Sequence, residues 1–311
     1  MHLEFQENIA LKNYTTYKIG GLAKYFFIAK TKEELIEALK QAKQQELSVF
    51  ILGGGSNLLI SDEGFKGLVI KIDISGVDLM ENKVIVGAGE NASNLSHDFA
   101  KKGLSGLEWT SGMPGSIGGA IYGNAQAFGG KTSHIVESVE AVNKKTLEIK
   151  KFSNKECQFS LKNSLFKQNK DLIIVSAVLE LKRQDAKEIE DKIKEFLDYR
   201  KTHHPLNFPS AGSTFVNPEI VIKDKKILEK FPELVEHNKK GVIPVGYMVE
   251  KCGLSGKKIG NAQISEKHAN FIINLGGAKA EDVLALINLV KSEVKKTFGI
   301  SIETEVQLVG F

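Results

Sequence analysis

The sequence predicts an α+β protein: two consecutive α/β units followed by a separate C-terminal α+β unit. Three observations predict it. Strand-like and helix-like periodicities alternate twice within the first half, as βαβ units require. A charged amphipathic stretch over residues 185–202 then reads as a connecting helix, ended by Pro205 and Pro209 in an irregular segment. The last third closes on a cleanly alternating stretch, residues 300–308.

Each element has its own signal. Residues 23–29 (AKYFFIA) carry the aromatic and β-branched content of a strand. Thr31-Lys32-Glu33-Glu34 is a capping box, opening a helix in which Leu35, Ala38, Leu39 and Ala42 recur at helical spacing. Residues 49–52 form a short buried strand that runs into Gly53-Gly54-Gly55-Ser56-Asn57. The second unit reads as a strand at 84–86, a helix at 93–102 stopped by Gly103, and a long glycine-rich passage to Gly130. Residues 135–142 and 147–152 flank Asn143-Lys144-Lys145 as a hairpin, and 173–181 alternate as a further strand. The last third holds a short helix stopped by Gly253, a strand at 271–274 and a helix around 282–297. On the final strand Ile300, Ile302, Thr304, Val306 and Leu308 share one face. Ser301, Glu303, Glu305 and Gln307 share the other.

Composition narrows the class. With 311 residues, 42% hydrophobic and 26% charged, the chain is long enough for about two domains with a sizeable core. The formal charge of +4 comes from scattered lysines, so no footprint for nucleic acid is expected. Cys157 and Cys252 stand far apart, which excludes a disulfide scaffold and a thiolate zinc site, and the seven histidines show no ligand spacing; no metal is expected. Residues 1–7 are acidic without an apolar core, and no apolar run has the length of a membrane span. The expectation is a cytoplasmic protein with no membrane segment and no obligate protein partner. All but two of the 42 basic residues are lysine, the exceptions being Arg183 and Arg200.

The chemistry-bearing motifs are glycine-rich. Three glycines after a buried strand let the backbone turn tightly and aim several N–H groups at one point, which suits a phosphate. Without a following Gly-Lys-Ser/Thr, Gly53–Asn57 is not a P-loop, and a lone cluster of this kind also reads as a plain tight turn. Gly112-Met113-Pro114-Gly115-Ser116-Ile117-Gly118-Gly119-Ala120, with Asn124 just beyond, is the second cluster. Two such loops in consecutive units would form two walls around one extended phosphate-bearing cofactor. Gly87-Ala88-Gly89 mimics a dinucleotide fingerprint but lacks its third glycine. Ser210-Ala211-Gly212-Ser213 follows a proline-bounded loop; its serine is a nucleophile, an acid or a turn former, and no Gly-x-Ser-x-Gly elbow favours a hydrolase.

Together these segments resemble, nearly end to end, the UDP-N-acetylenolpyruvoylglucosamine reductases, in their shorter class without extra substrate-covering loops. Thr16-Tyr17-Lys18-Ile19-Gly20-Gly21 is similar to the opening flavin motif of that family, residues 51–60 (ILGGGSNLLI) to its pyrophosphate loop, and Gly112–Ala120 with Asn124 to its second flavin loop. Residues 210–218 (SAGSTFVNP), 256–268 and 303–310 resemble the substrate-domain signatures. The resemblance implies an FAD-binding fold of the vanillyl-alcohol-oxidase type made of two α/β subdomains, 1–72 and 73–184. A connecting helix, 185–202, and a substrate-binding domain, 203–305, would follow, with 306–311 returning to the first subdomain.

The implied activity is NADPH-dependent, FAD-mediated reduction of UDP-N-acetylglucosamine enolpyruvate to UDP-N-acetylmuramate in peptidoglycan precursor synthesis. NADPH and the enolpyruvyl substrate would use one site in turn, with hydride passing from flavin N5 to C3. By resemblance, FAD would be held by Thr16, Gly20, Gly21, Gly53, Gly54, Gly55, Ser56, Asn57, Met113, Pro114, Gly115, Ser116, Gly118, Gly119, Ala120 and Asn124. Ser213 would give the proton to C2, Glu305 would help to polarise the intermediate as a protonated partner, and Lys162 would hold the substrate carboxylate. Asn217 is expected on the sugar nucleotide, His204 and Lys257 on its diphosphate, and His268 within the same segment.

Three positions depart from the family pattern. Lys162 stands for an arginine, Val216 for a lysine and Gln307 for an arginine. Lysine keeps the charge but loses the two-pronged geometry of a guanidinium. Two further readings follow from these departures: an FAD oxidoreductase of the same fold acting on a different acid, or a catalytically weakened flavin- or nucleotide-binding relative.

Overall fold

A computed structural model of the chain describes residues 3–311. Met1 and His2, the start of the stretch read as acidic without an apolar core, lie outside the described residues. Along the chain run β1 (Gln6–Ala10), β2 (Leu22–Ala29), β3 (Val49–Leu52), β4 (Leu58–Ile60), β5 (Phe65–Ile72), β6 (Val77–Met80) and β7 (Lys83–Gly87). There follow β8 (Val136–Asn143), β9 (Ile149–Ser153), β10 (Leu172–Glu180), β11 (Ser210–Ser213), β12 (Lys258–Ile259), β13 (Ala262–Ile264), β14 (Phe271–Asn274) and β15 (Gln307–Val309). The helices that matter below are α1 (Lys32–Gln44), α2 (Ala92–Ala100), α3 (Ile117–Tyr122), α4 (Ala186–His203), α5 (Val245–Lys251) and α6 (Ala280–Phe298).

The chain forms two compact units, each assembled from separated segments. One comprises the N-terminal residues through Ala10 together with Leu22–Gly55 and Phe65–Thr202; the other comprises Leu11–Gly21, Ser56–Gly64 and His203–Phe311.

In the first unit, β5 lies between β2 and β3, parallel to both, and β1 closes one edge antiparallel to β2. The apolar face of α1, with Leu35, Ala38, Leu39 and Ala42 buried, has the period read from the sequence. Its cap is shared differently from a reciprocal box. Thr31 accepts the N–H of Glu34, while the Glu34 carboxylate reaches past it to the N–H of Lys30. The second sheet, ordered β9-β8-β10-β7-β6, is antiparallel throughout. A large apolar core, including Leu35, Ile70, Val86, Phe99, Ile121, Val139 and Val175 among its buried residues, lies in this unit.

In the second unit, a sheet ordered β11-β14-β13-β12 packs with α6, whose Val283, Leu286, Ile287, Val290 and Val294 are buried. The predicted final strand is corrected here. Only Gln307–Val309 is a strand, parallel to β4, while Thr304 forms an isolated bridge with Phe215. The chain changes partners at Val306, and the side-chain phase slips with it. Ile302 and Val306 point inward as expected, but Leu308 is 46% exposed and Val309 is 7% exposed. Alternation alone cannot reveal a change of partner within one extended run.

Candidate active site

Glycine brings two of the predicted flavin loops together inside the first unit. A Cβ on Gly54 would lie 2.5 Å from the Cα of Gly115 and 2.8 Å from the nitrogen of Ser116, and one on Gly53 would meet the Ser116 hydroxyl at 3.0 Å. Only residues without a side chain permit backbones this close. The third glycine run supports the second loop from behind: Ile117 N–H donates to Glu90 and Gly118 N–H to Ala88, both at 2.8 Å. Ser116 caps α3 by accepting the N–H of Gly119. The two loops meet main chain to main chain, a local polarity that suits a dinucleotide phosphate chain. Gly53, Gly54, Gly55, Met113, Pro114, Gly115, Ser116, Gly118, Gly119 and Ala120 all belong to these two loops.

Asn124 acts on the neighbouring turn rather than as a free donor. Its amide donates to Ser160 O at 2.8 Å and its carbonyl accepts the N–H of Ser133. Lys162 stands two residues beyond Ser160, at a left-handed φ of 52°. The amine of Lys167 donates to the carbonyl of Lys162 at 2.8 Å and braces that turn.

Arg200 fixes the far end of the second loop. Its guanidinium is buried, donating Nε to Ser111 O at 2.8 Å and an Nη to Trp109 O at 3.0 Å. Phe128 lies against the guanidinium at 4.9 Å and stacks on Phe196 at 4.3 Å, so α4 is keyed to this loop by one cation and two rings.

The remaining predicted flavin residues lie in the second unit. Thr16 donates its hydroxyl to Ser210 O at 2.7 Å. A Cβ on Gly21 would lie 2.0 Å from Asp62 O, so that glycine is required by packing against the chain itself; Gly20, at φ 138°, turns the chain into it. Ser56 precedes Asn57, whose main-chain carbonyl accepts Gln307 N–H at 3.0 Å. Tyr17 is buried, and its hydroxyl has no hydrogen-bond partner among the described residues; burial pushes that phenol up.

The segments that carry Ser213 and Glu305 are joined through the main chain. Glu305 N–H donates to Thr214 O at 2.8 Å and Val216 N–H to Glu303 O at 3.0 Å, on either side of the Phe215–Thr304 bridge. Both candidate catalytic side chains are half-buried. His204 and His268 meet edge to face at 5.6 Å beside Phe271, whose backbone pairs with Ser213. Burial holds the His268 imidazole below its ordinary range, with the charge of His203 adding to the effect. Asn217 uses its carbonyl oxygen to cap α5, accepting Val245 N–H at 2.9 Å. Lys257 is exposed on the turn before β12.

Sequence reasoning passed over Asn270, Asn274 and Arg200. Asn270 and Asn274 bracket the apolar β14, and Asn274 is buried, donating to Tyr17 O at 3.0 Å. Two asparagines four apart at the ends of an apolar strand were the available signal. Burial pushes the Cys157 thiol up to about 12 and also raises Cys252. Among the described residues, no group of three or more His, Cys, Asp or Glu is placed to hold a metal, and no helix is long and apolar enough to cross a membrane.

Two family models match the chain: an FAD binding domain over residues 23–150, and the C-terminal domain of UDP-N-acetylenolpyruvoylglucosamine reductase over residues 204–309. A UDP-N-acetylenolpyruvoylglucosamine reductase of Lactobacillus delbrueckii subsp. bulgaricus is 39% identical over 99% of this chain and 96% of its own length. That of Clostridium tetani is 36% identical over 97% of this chain and 91% of its own. The crystal structure of the reductase from Thermus caldophilus superposes with a TM-score of 0.79 at 31% identity, covering 98% of this chain and 100% of that one. Fold and glycine cradle together define an FAD-binding oxidoreductase of the vanillyl-alcohol-oxidase type with an added C-terminal domain. Within that class the chain belongs to the UDP-N-acetylenolpyruvoylglucosamine reductase family.

Proposed function

We propose that this protein reduces UDP-N-acetylglucosamine enolpyruvate to UDP-N-acetylmuramate with electrons from NADPH, in peptidoglycan precursor synthesis. The observation that carries the reading is the pairing of Thr214–Val216 with Glu303–Glu305, which joins the segment that follows Ser213 to the segment that ends at Glu305, in the domain that matches the family. FAD, when bound, stores the two electrons of NADPH and supplies them as hydride to C3 of the enol ether. Residues of the two glycine loops would hold its pyrophosphate through main-chain N–H groups. Ser213 would give its hydroxyl proton to C2. A serine is a weak acid, so it serves only where the acceptor is as basic as an enolate carbon. Glu305, as a neutral donor, would polarise the same intermediate, and Lys162 would neutralise the substrate carboxylate.

His204, His268, Lys257 and Asn217 would bind the sugar nucleotide, with the Nδ2 of Asn217 as the side-chain atom not engaged in capping α5. Functionally, we assign residues 1–72 and 73–184 as the two FAD-binding subdomains, 185–202 as the connecting helix that follows them and 203–305 as the substrate domain. The parallel pairing of Gln307–Val309 with Leu58–Ile60 supports a return of 306–311 to the first of these. Location in the cytoplasm is part of the same reading.

An anaerobic flavin spectrum tests the reading. The FAD-loaded protein is reduced with NADPH and the enolpyruvyl UDP-sugar is then added. Return of the oxidised flavin band with formation of UDP-N-acetylmuramate is the expected result. A flavin that is reduced but never reoxidised would assign the protein to a different acid.

A further inference from the structure

We propose that Asn270 is a positioning residue for Ser213, fixing the path of the chain on which the proton donor stands. The proposal rests on the reading of Ser213 given above. The pairing of β11 with β14 explains why Ser213 needs such a device. Ser210 is opposite Ile273 and Ser213 opposite Phe271, so β11 spends three steps where β14 spends two. The extra residue makes a bulge, and Gly212 turns through it at a φ of 74°. A regular ladder would set the direction of every side chain; a bulge leaves the residue after it to be aimed by something else.

Asn270 supplies that control. It is buried, and its carbonyl accepts Thr214 N–H at 2.7 Å. Its side-chain oxygen accepts Phe215 N–H at 3.0 Å, and its side-chain amide donates to Phe215 O at 3.0 Å. One carboxamide thus satisfies both main-chain polar groups of Phe215, two residues beyond Ser213, replacing the ladder that the bulge interrupts. From below, Asn270 N–H donates to Nδ1 of His268 at 3.2 Å, so Asn270 is itself held. Thr214 and Phe215 are 2% and 1% exposed and cannot rotate away. The opposite side of the same segment accepts Glu305 N–H. Ser213 and Glu305 therefore take their mutual placement from a strip of chain gripped on one side by Asn270.

The step it serves is one half of the cycle only. The π electrons of the C2=C3 bond form the new bond from C2 to the Ser213 proton as hydride, with its electron pair, arrives at C3. The serine oxygen then recovers a proton from water. Reduction of the flavin by NADPH needs no such proton, so a positioning role predicts a split between the half-reactions.

Asn270→Asp keeps the shape and removes the donor to Phe215 O. In stopped-flow measurements on the FAD-loaded protein, flavin reduction by NADPH should stay within about twofold of the parent. Reoxidation by the enolpyruvyl substrate should slow roughly 10–100-fold, the penalty for small misplacement of a reacting group. In a Ser213→Ala background the same change should add less than about twofold, because coupled residues are not additive. Equal slowing of both half-reactions, or an undiminished effect in the Ser213→Ala background, would overturn the proposal. If Ser213→Ala alone reoxidises at the parental rate, the reading of Ser213 falls and takes the proposal with it. If Ser213→Ala is slow while Asn270→Asp is normal, only the proposal falls. Should Asn270→Asp fail to retain FAD, Asn270→Ser, which leaves room for a bridging water, undergoes the same comparison.

Discussion

The side-chain amide of Asn57 donates to the carbonyl oxygen of Glu305 at 3.2 Å, across 248 positions of sequence. The main-chain carbonyl of Asn57 also receives Gln307 N–H, so a residue at the end of a glycine-rich motif holds the backbone on both sides of Val306. Glu305 is thereby presented by fixed main chain. If it works as a neutral hydrogen-bond donor, Glu305→Gln is expected to keep kcat within about tenfold of the parent. Glu305→Ala should lose roughly 10²-fold or more, as removal of a transition-state donor does. Steady-state rates of the two variants check this.

Gly54→Ala is expected to expel the cofactor rather than unfold the protein. The new methyl would stand 2.5 Å from Gly115 Cα, and backbone must move to admit it. Overpacking costs about 1–3 kcal/mol, so FAD should bind at least roughly fivefold more weakly. Fluorescence titration of the apoprotein with FAD, beside far-UV circular dichroism, separates the two outcomes.

Lys162→Arg is expected to improve catalysis. The turn is held by Asn124 and Lys167 through main-chain carbonyls, so the substitution leaves its support intact. A second charge-assisted prong is worth roughly 1.5–3 kcal/mol, or about ten- to a hundredfold in kcat/KM for the enolpyruvyl substrate. Unchanged kcat/KM would remove Lys162 from the carboxylate site.

Stability should decline in mild acid through His268. Its folded-state pKa is depressed below the ordinary value of 6.5, first by burial. The unfolded chain therefore takes up the proton more readily. The imidazole destabilises nothing above pH 6.5, and its contribution is lost as pH falls from there through the depressed value. Protonation also ends acceptance of Asn270 N–H at Nδ1. Melting curves between pH 7.5 and 5 should show this slope in the parent and a shallower one in His268→Asn.

Arg200→Leu should be among the more damaging single changes in the first unit. It removes the donors to the carbonyls of Ser111 and Trp109, two buried residues, and each orphaned acceptor costs about 1–3 kcal/mol. Arg200→Lys should recover part of the melting temperature, since an ammonium reaches fewer partners than the guanidinium fork.

Much of the fold was readable wherever one periodicity governed one element. The buried face of α1, the hairpin β8–β9 and the charged helix α4 follow local rules of spacing and capping. The final strand was misread because its partners change at Val306, a tertiary event that alternation does not record. The site divides in the same way. Glycine loops, Ser213 and Glu305 carry motif signals. Asn270 and Arg200 act on main-chain groups far away in sequence, and nothing beside them announces which carbonyl or N–H they will meet. Gly21 carries a lesson in the other direction: a glycine in a flavin motif is demanded here by Asp62 O.

The three-segment make-up of the second unit bears on biosynthesis. β4 acquires its parallel neighbour only when Gln307–Val309 is available, and Tyr17, Ile19 and Leu59 belong to a core otherwise built from residues beyond 210. While a ribosome is still translating the middle of the chain, residues 11–21 and 56–64 must wait with apolar side chains uncovered. Such long-range closure is slow and leaves nascent chains open to aggregation. Cutting the gene within α4, the dissection that the sequence invites, would deprive those two segments of their core.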